Sequence, residues 1–322
     1  MSKKVFTKGT HNVPEFYVKM GSELLNAQIN EGKGIPSGVI MQIQSEGEGA
    51  SKSTEAWKML AEVQRMGKEV AYVDGENRIL LEEHDGRKYN KWLNNLGVDV
   101  NNVYFVPVMS GEETWEAIID LVTDYKVQFV VLDSIHSVRP SVDYDNSVGD
   151  KSIGQHAALH QKGILKLSPL LSKHKAILCG INQRRDNVTK QGKMGTNASG
   201  GASWRFYSSY NFIFKKGGSN RSFDGKDYIP LDIFIDKNSG GKAYQTIKTF
   251  VKQGDGIDKG AELAVIATEL GLIRKAGSWW KDKEGNSIGQ GDMARFIWAE
   301  ANVDEILSLY NPETKEETED EN

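Results

Sequence analysis

The feature that most constrains the fold is a set of four short apolar runs between residues 38 and 183, each of which ends in polar residues. They are GVIMQIQ (38–44), EVAYVDGE (69–76), VQFVVLDS (127–134) and AILCGINQ (176–183). Apolar runs rich in Val and Ile are typical of strands that are buried on both faces of a parallel sheet. The four runs therefore predict strands of one central sheet.

The segments between these runs have helical character. Ala56, Met59, Leu60, Val63 and Met66 recur at helical spacing and give one apolar stripe. Further helices are predicted at Lys88–Leu96, Thr114–Tyr125 and Ile153–Lys173. Because strands alternate with helices, the chain is predicted to be an α/β protein whose mostly parallel sheet is flanked by helices and connected by right-handed crossovers.

The pattern changes after residue 205. The stretches FYSSYNFIFKKG, YIPLDIFIDKNSG and YQTIKTFVKQG alternate like strands, and we expect them to extend the sheet antiparallel. A small α+β C-terminal domain is expected from a helix at Lys259–Leu270, a turn at Glu284–Asn286 and a helix at Asp292–Ala299. The predicted boundaries are an N-terminal segment at 1–19, a core at 20–256, a C-terminal domain at 257–312 and an acidic tail at 313–322.

The stretch SEGEGASKST (Ser45–Thr54) lies between the first apolar run and the first predicted helix, where a phosphate-binding loop belongs. Such a loop aims backbone N–H groups at an anion from a helix N-terminus, with a Lys for the terminal phosphates and a Ser or Thr oxygen for Mg²⁺. Lys52 and Ser53 fit these roles, but Glu46 and Ser51 replace the two framing glycines of the strict pattern. If position 51 needs a positive φ, serine there costs roughly 1–2 kcal/mol. A flexible connector is the alternative interpretation.

The other strand ends supply further candidates for the same edge of the sheet, because ligands bind at the carboxyl ends of parallel strands. Asp133 could hold the Mg²⁺ hydration shell, or could only cap its strand. Glu76 could orient and deprotonate an attacking water, or could be a surface acid. Gln183 could sense the terminal phosphate and pass that state to the next segment. The convergence of four segments is more specific than any single motif.

Two segments could contact nucleic acid. RRDNVTKQGKMGTNASGGAS (184–203) contains four glycines, and it has four basic residues within 184–193, which favours a mobile loop with phosphate contacts, or a solvated flexible loop. The acidic segment VDYDNSVGDKSIGQ (142–155) does not suggest DNA by itself.

Composition adds limits on location and partners. The lone cysteine, Cys179, lies in an apolar run and is expected to be a core residue, so we expect a reducing, cytoplasmic setting. No apolar run approaches the roughly 20 residues that span a bilayer. Of the net charge of −4, the last ten residues carry −5, and the remainder therefore sums to +1. This tail is expected to be disordered, either as a solubilising end or as a competitor for a basic groove.

The chain resembles the RecA family of homologous recombinases, of the bacterial RecA and phage UvsX type, from about residue 20 to about residue 306. The stretches that carry the resemblance are VVLDSIHSVRP, SVGDKSIGQHAALH, INQRRD, TNASGGASWRFYSS, DKNSG and LGLIRKAGSWWKDKEGNSIGQG, in matching order and spacing. The resemblance implies an ATPase that uses ATP and Mg²⁺, forms helical filaments on single-stranded DNA and exchanges strands with a homologous duplex, in a bacterial cell or a phage-infected host.

The resemblance also implies roles for individual residues. Catalysis would involve Glu76, Lys52 and Gln183, and Mg²⁺ would be held by Ser53 and Asp133. ATP would contact Gly47, Glu48, Gly49, Ala50, Ser51, Lys52, Ser53, Thr54, Trp92 as the adenine-stacking aromatic, and Lys237 from a neighbouring subunit. The two DNA loops would supply Ser147, Gly149, Lys151, Ile153, Arg184, Arg185, Val188, Lys190, Lys193, Gly200 and Gly201. The subunit interface would include Phe206, Lys237 and Lys242.

Departures from the family pattern keep alternatives open. The altered phosphate loop puts the rate of turnover in doubt, Ser239 stands where a second interface lysine is expected, and residues 1–19 are short for a polymerisation segment. A filament or single-stranded DNA-coating protein with weak or no ATPase activity is therefore the first alternative. A ring-forming helicase motor is the second, and the SWWKDKEGNSIGQG stretch disfavours it.

Overall fold

The computed structural model describes residues 13–47, 49–107, 109–145, 154–188, 194–198 and 200–310, with the backbone alone described at 46, 144–145, 185–188 and 194–198. The helices are α1 (Glu23–Ala27), α2 (Lys52–Arg65), α3 (Lys91–Asn95), α4 (Gly111–Thr123), α5 (Val142–Asp145), α6 (Gln155–His174), α7 (Ala202–Tyr207), α8 (Lys259–Glu269), α9 (Asp292–Ala301) and α10 (Val303–Leu309), with 3-10 turns at Asn30–Gly32, Val100–Asn102 and Ile135–Ser137.

The strands belong to one large sheet and three small ones. They are β1 (Tyr17–Val18), β2 (Ile35–Pro36), β3 (Ile40–Glu46), β4 (Val70–Asp74), β5 (Glu82–His84), β6 (Arg87–Tyr89), β7 (Val103–Val106), β8 (Phe129–Asp133), β9 (Ile177–Val188), β10 (Met194–Ala198), β11 (Tyr210–Lys216), β12 (Arg221–Phe223), β13 (Lys226–Asn238), β14 (Thr246–Lys252), β15 (Gly256–Ile257), β16 (Ile273–Ala276), β17 (Trp279–Asp282) and β18 (Ser287–Gln290).

The central sheet has the strand order β15-β14-β13-β11-β3-β9-β8-β4-β7, with β10 added to β9 and β12 added to β13. The pairs from β11 to β7 are parallel, whereas β13, β14 and β15 extend the sheet antiparallel. The predicted α/β class and the four predicted strands are therefore confirmed.

Side chains on the central strands alternate between two apolar layers. In β8, Phe129 and Val131 face a layer with Trp57 of α2, whereas Val130 and Leu132 face a layer with Trp115 of α4. This two-sided burial explains why the strands read as nearly continuous apolar runs. Cys179 is fully buried in β9, as expected for a core residue, and burial raises the pKa of its thiol.

The C-terminal segment folds as the three-stranded antiparallel sheet β16-β17-β18 with α8, α9 and α10 beside it. Leu263 of α8, Trp280 of β17 and Phe296 of α9 belong to the same buried cluster as the α2 layer. The boundary between a core and a C-terminal domain stays a prediction, and residues 311–322, which include the whole predicted tail, lie outside the described residues.

Three predictions about elements were wrong. Residues 88–96 are not one helix, because Asp85 and Gly86 both take positive φ (50° and 74°) and turn the chain into the hairpin β5–β6, so that α3 begins only at Lys91. Such an Asp-Gly pair is a strong hairpin signal. The predicted helix at 153–173, in contrast, is present as α6, which begins at Gln155 after Gly154 at φ 86°.

The second wrong prediction concerns β11, which pairs parallel with β3 and not antiparallel. The chain leaves β9, turns back through β10 and crosses over through α7, so that it re-enters the sheet in the same direction as β3. The third concerns the glycine-rich segment after Gln183, whose first part continues β9 to Val188 and pairs antiparallel with β10.

Among the helices of the described residues, none combines the length and the apolar character that crossing a membrane requires.

Candidate functional site

The polar residues that end the parallel strands lie side by side at one edge of the sheet. Asp74 of β4 is paired with Asp133 of β8, and Asp133 with Ile181 of β9. Ser45 of β3 is paired with Gln183 of β9. The register therefore brings the predicted strand ends together, as the crevice rule for parallel sheets requires.

The loop after β3 makes a tight turn into α2. Gly47 and Gly49 have φ of 84° and 79°, and Ser51 has φ of 55° although it carries a Cβ. The backbone strain expected at position 51 is thus present, because left-handed φ is unfavourable for an L-residue other than glycine. Lys52 begins α2, is only 8% exposed, and its Nζ donates a hydrogen bond to Ser45 Oγ. The loop thus directs a helix N-terminus and a buried cation toward the same space.

Asp133 accepts hydrogen bonds at one carboxylate oxygen from two hydroxyl groups. Ser53 Oγ and Tyr72 Oη both lie 2.6 Å from Asp133 Oδ2. Burial raises the pKa of the Asp133 carboxyl, and the two hydrogen bonds and Lys52 act in the opposite direction. Tyr72 is fixed by the indole of Trp57, which stacks on it with ring centroids 3.9 Å apart. Ser53 and Tyr72 therefore hold the Asp133 carboxylate in one orientation.

Glu76 faces the same space from the loop after β4. Its Oε1 accepts a hydrogen bond of 2.8 Å from Ser134 Oγ, and its Oε2 lies 2.7 Å from Arg78 Nη2. A Cβ at Gly75 would lie 1.9 Å from Ser137 Oγ, so only glycine allows this loop to approach the turn after β8. Glu76 is a carboxylate oriented by two neighbours, which suits a general base.

These groups surround a cavity of about 310 Å³. Its lining includes most of the residues predicted from the sequence to contact nucleotide or metal: Gly49, Ala50, Ser51, Lys52, Ser53, Thr54, Glu76, Asp133 and Gln183. It also includes Arg78, Ser134 and Ile181, for which no role in nucleotide or metal binding was predicted. Gly47 shapes the turn beside this cavity without lining it, and Glu48 lies outside the described residues.

The donor set suits Mg²⁺ bound together with a phosphate chain. Mg²⁺ is usually held by one or two protein oxygens plus waters and substrate phosphates, not by an all-protein cage. Ser53 and Asp133 present one hydroxyl and one carboxylate 2.6 Å apart. In the part of the chain that the structure describes, no three His, Cys, Asp or Glu side chains form a metal-binding group. The residues present therefore fit a metal that the phosphates help to hold.

The predicted adenine-stacking and interface residues do not line this cavity. Trp92 Nε1 donates a hydrogen bond of 3.0 Å to the Gly254 carbonyl, and its ring packs against the main buried cluster. Lys237 Nζ donates to the carbonyls of Arg205 (3.3 Å) and Phe206 (2.8 Å), while burial and Arg205 lower the pKa of its ammonium.

Phe206 is 74% exposed and Lys242 is exposed as well. The roles of Phe206, Lys237 and Lys242 at a subunit interface stay predictions.

The predicted DNA-binding residues fall into three groups. Arg184, Gly200 and Gly201 are described in full, and Arg185 and Val188 are described as backbone in β9. The remainder lie outside the described residues: Ser147, Gly149, Lys151, Ile153, Lys190 and Lys193. Because β9 runs unbroken from Ile177 to Val188, one strand connects Gln183 at the cavity with the start of the second predicted DNA loop.

Three functional neighbours were missed from the sequence. Tyr72, Ser134 and Arg78 hold Asp133 or Glu76, and each lies within two residues of a strand end that had been identified. Their polar character near that edge was the available signal, but their orientation depends on the pairing of β4 with β8.

Comparison with known proteins agrees with this geometry. Residues 5–258 match the family model described as the RecA N-terminal domain. Similar curated proteins include Protein RecA from Fusobacterium nucleatum (29% identical over 314 residues, 97% of this chain and 79% of the relative) and from Bacillus subtilis (29% over 294 residues, 91% and 80%). Protein RecA from Thermotoga petrophila is 29% identical over 264 residues, 80% of this chain and 71% of the relative.

Proposed function

The chain belongs to the RecA family, and from this premise we propose that it is a DNA-dependent ATPase that forms helical filaments on single-stranded DNA and catalyses homologous pairing and strand exchange. The observation that carries the proposal is the cavity in which Lys52, Ser53, Glu76 and Asp133 meet, together with the strand that leads from it to the second DNA loop.

Binding of ATP would rest on the turn before α2 and on its lysine. The backbone N–H groups at the start of α2 and the Lys52 ammonium attract phosphate oxygens, and burial of Lys52 strengthens that attraction. Ser53 and Asp133 would hold the Mg²⁺, which supplies neutralisation of phosphate charge when bound. Lys52 would then exchange its bond to Ser45 for one to phosphate.

Hydrolysis would require a base that removes a proton from water. Glu76 lines the cavity, and the hydrogen bond from Ser134 holds its carboxylate toward the phosphate end. A base in that position accepts a proton from the water that attacks the terminal phosphate. It also orients this water, and positioning accounts for much of the catalysis of phosphoryl transfer. Gln183, on β9, would transmit the presence of the terminal phosphate to residues 184–188.

Binding of single-stranded DNA would come mainly from phosphate contacts in the two loops, and sequence choice would be left to base pairing. Arg184 and Arg185 extend the strand that contains Gln183, and Gly200 and Gly201 close the second loop.

The lone buried cysteine is compatible with the reducing cytoplasm of a bacterial cell or a phage-infected host, where the protein would meet DNA.

A second candidate function is supported by one observation. Ser51 has φ of 55°, so the loop is strained where the strict pattern has glycine. A filament or DNA-coating protein that binds ATP but turns it over slowly would tolerate such a loop. The two candidates differ in turnover and not in DNA binding.

The test is an ATPase titration with and without single-stranded DNA. For the first function we expect hydrolysis that DNA stimulates and that Lys52→Ala abolishes. Lys162→Ala, at an exposed lysine of α6, is the matched control and should keep the stimulated rate. Turnover at background with intact DNA binding would select the coating protein, and a rate that DNA leaves unchanged would contradict the proposed coupling.

A further inference from the structure

A pair of histidines lies between the two predicted DNA loops and takes no part in the function proposed above. His156 and His160 are one turn apart on α6, and their Nε2 atoms lie 3.2 Å from each other. The indole Nε1 of Trp204, on α7, donates a hydrogen bond of 3.1 Å to His160 Nδ1. His160 and Trp204 are almost completely buried. We call these three side chains the histidine relay.

The tryptophan fixes the tautomer of His160. An indole N–H can only donate, so His160 Nδ1 must be an unprotonated acceptor and the His160 proton must be on Nε2. His156 Nε2 lies 3.2 Å away and can accept that proton, which leaves the His156 proton on Nδ1. Backbone carbonyl oxygens at Ile135 and Val138 also accept hydrogen bonds from both imidazoles, and these bonds partly oppose the lowering of their pKa.

The surroundings keep both imidazoles neutral. Burial and then the neighbouring His156 lower the pKa of His160 to about 3. Burial and then Arg139 lower the pKa of His156, and Asp143 only partly opposes this. His136, whose Nε2 lies 2.9 Å from Arg139 Nη2, is a further polar neighbour of His156. The relay is therefore an uncharged, directional chain at neutral pH.

A transition-metal site would be the other use of two histidines at this spacing, since an i, i+4 pair on a helix can chelate zinc. Zinc bound to both Nε2 atoms would require the His160 proton to move to Nδ1. There it would face the Trp204 N–H, and two donors would oppose each other in a buried place. The chemistry of Trp204 thus disfavours a metal.

The relay connects three segments that the proposed function must coordinate. Trp204 follows Gly200 and Gly201, which end the second DNA loop, and His156 follows the first DNA loop. Ile135 and Val138 belong to the turn that follows Asp133, the proposed Mg²⁺ ligand.

The backbone also comes close here, which ties the two loop ends to the same place. A Cβ at Gly200 would lie 2.6 Å from Ile135 Cγ2, and a Cβ at Gly201 would lie 2.8 Å from Ala157 Cβ. The three segments are therefore in contact as well as hydrogen-bonded.

We propose that His156, His160 and Trp204 are positioning residues that hold the ends of both DNA loops in register with the turn after Asp133, so that nucleotide binding raises DNA affinity through them. The inference rests on the proposed function, because it needs a protein whose DNA affinity responds to ATP. Because Trp204 fixes the hydrogen-bond direction at His160, the relay has one favoured arrangement. A shift of the turn at 135–138 would break or restore the hydrogen bonds of the relay together.

The test measures coupling and not activity. The dissociation constant for fluorescent oligo-dT is determined without nucleotide and with Mg²⁺ and a non-hydrolysable ATP analogue, and the ratio of the two is the coupling factor. His160→Met keeps volume but removes both hydrogen bonds, and we expect it to reduce the coupling factor about two- to thirtyfold. His160→Gln, which has an acceptor and a donor, should recover most of it.

Two further variants make the test specific. Trp204→Phe removes only the N–H donor and should reduce the coupling factor, and adding it to His160→Met should have no further effect because both act on one chain. His174→Met, at the other end of α6, is the matched control and should leave the coupling factor unchanged. Thermal unfolding of each variant separates a loss of stability from a loss of coupling.

The outcomes distinguish the two proposals. If the unsubstituted protein shows no effect of nucleotide on DNA affinity, the proposed function fails. The inference is overturned if the unsubstituted protein shows the effect and every substituted protein that folds keeps the full coupling factor. Those proteins are Trp204→Phe, His160→Gln and, where it folds, His160→Met. The relay would then be only structural.

Discussion

At the scale of single residues, three charged groups of the nucleotide cavity each share a hydrogen bond with a hydroxyl group. Ser45 accepts from Lys52, Ser134 donates to Glu76, and Ser53 donates to Asp133. These hydroxyl groups orient the charged side chains, and such support fixes catalytic geometry before a ligand arrives. The site is therefore arranged for a highly charged ligand although Ser51 strains its loop.

The strain at Ser51 gives a prediction about stability and turnover. Ser51→Gly should stabilise the folded protein by up to about 1 kcal/mol, because relief of left-handed strain exceeds the added entropy of glycine in the unfolded chain. The ATPase rate should rise or stay constant, since Lys52 and Ser53 are unchanged. Urea unfolding and steady-state hydrolysis are the measurements.

The control for this prediction is Ser308→Gly in α10, where the helical backbone gains nothing from glycine and stability should fall by roughly 0.5–1 kcal/mol. A Ser51→Gly protein that is as destabilised as Ser308→Gly would show that the left-handed conformation is not retained in solution.

At the scale of elements, a buried glutamate ties the C-terminal helix α8 to the start of α1. Glu262 accepts hydrogen bonds from Ser22 Oγ (2.5 Å), Glu23 N (2.9 Å) and Leu24 N (3.3 Å). These donors favour the carboxylate, but burial outweighs them and raises the pKa of Glu262 to about 7. One side chain thus caps a helix about 240 residues away in sequence.

This raised pKa predicts a fall in stability as pH increases. Between pH 4.5 and about 7 the folded protein keeps a proton that the unfolded chain releases, so the contribution is complete below pH 4.5 and is lost as pH rises through 7. Its size is of order 3 kcal/mol. In Glu262→Gln the group cannot ionise, and the loss of unfolding free energy between pH 5 and pH 8 should be smaller.

Urea unfolding at the two pH values measures this, with Asp304→Asn at an exposed acid as the control that keeps the original pH dependence. Equal pH dependence in the Glu262→Gln protein and the unsubstituted one would mean that Glu262 stays ionised when folded.

At the scale of the whole molecule, the central sheet buries both of its faces, but several aromatic side chains are exposed, and two of them line the same cavity. Phe206 is 74% and Tyr244 is 71% exposed, and they line one open cavity of about 400 Å³ with Lys237. Aromatic side chains are enriched at protein interfaces. This surface, defined by Phe206, Lys237 and Tyr244, is our candidate for contact with a second copy of the chain.

Phe206→Ala should therefore abolish self-association without destabilising the monomer. Because the ring is exposed, the melting temperature of dilute protein should change little, whereas sedimentation in the presence of DNA and an ATP analogue should shift from large assemblies to monomers. Tyr125→Ala, at another exposed aromatic, is the control and should still assemble. Assembly by the Phe206→Ala protein would exclude this surface.

Local sequence patterns were enough to predict the fold class and the segments that supply the site. The four strands, the phosphate loop and the acidic strand ends could be predicted because burial on both faces leaves a local pattern that any parallel strand shares. The hairpin at Asp85–Gly86 was not predicted, although an Asp-Gly pair is a strong local signal for a two-residue hairpin turn. The contributions of individual site residues stay predictions.

Which side chains meet depends on tertiary packing. The parallel entry of β11, the hydroxyl partners of Asp133 and Glu76, and the contact of Trp204 with His160 all join residues that are far apart in sequence. Local patterns specify backbone conformation and burial, but pairing between distant elements depends on register and packing that no single segment contains.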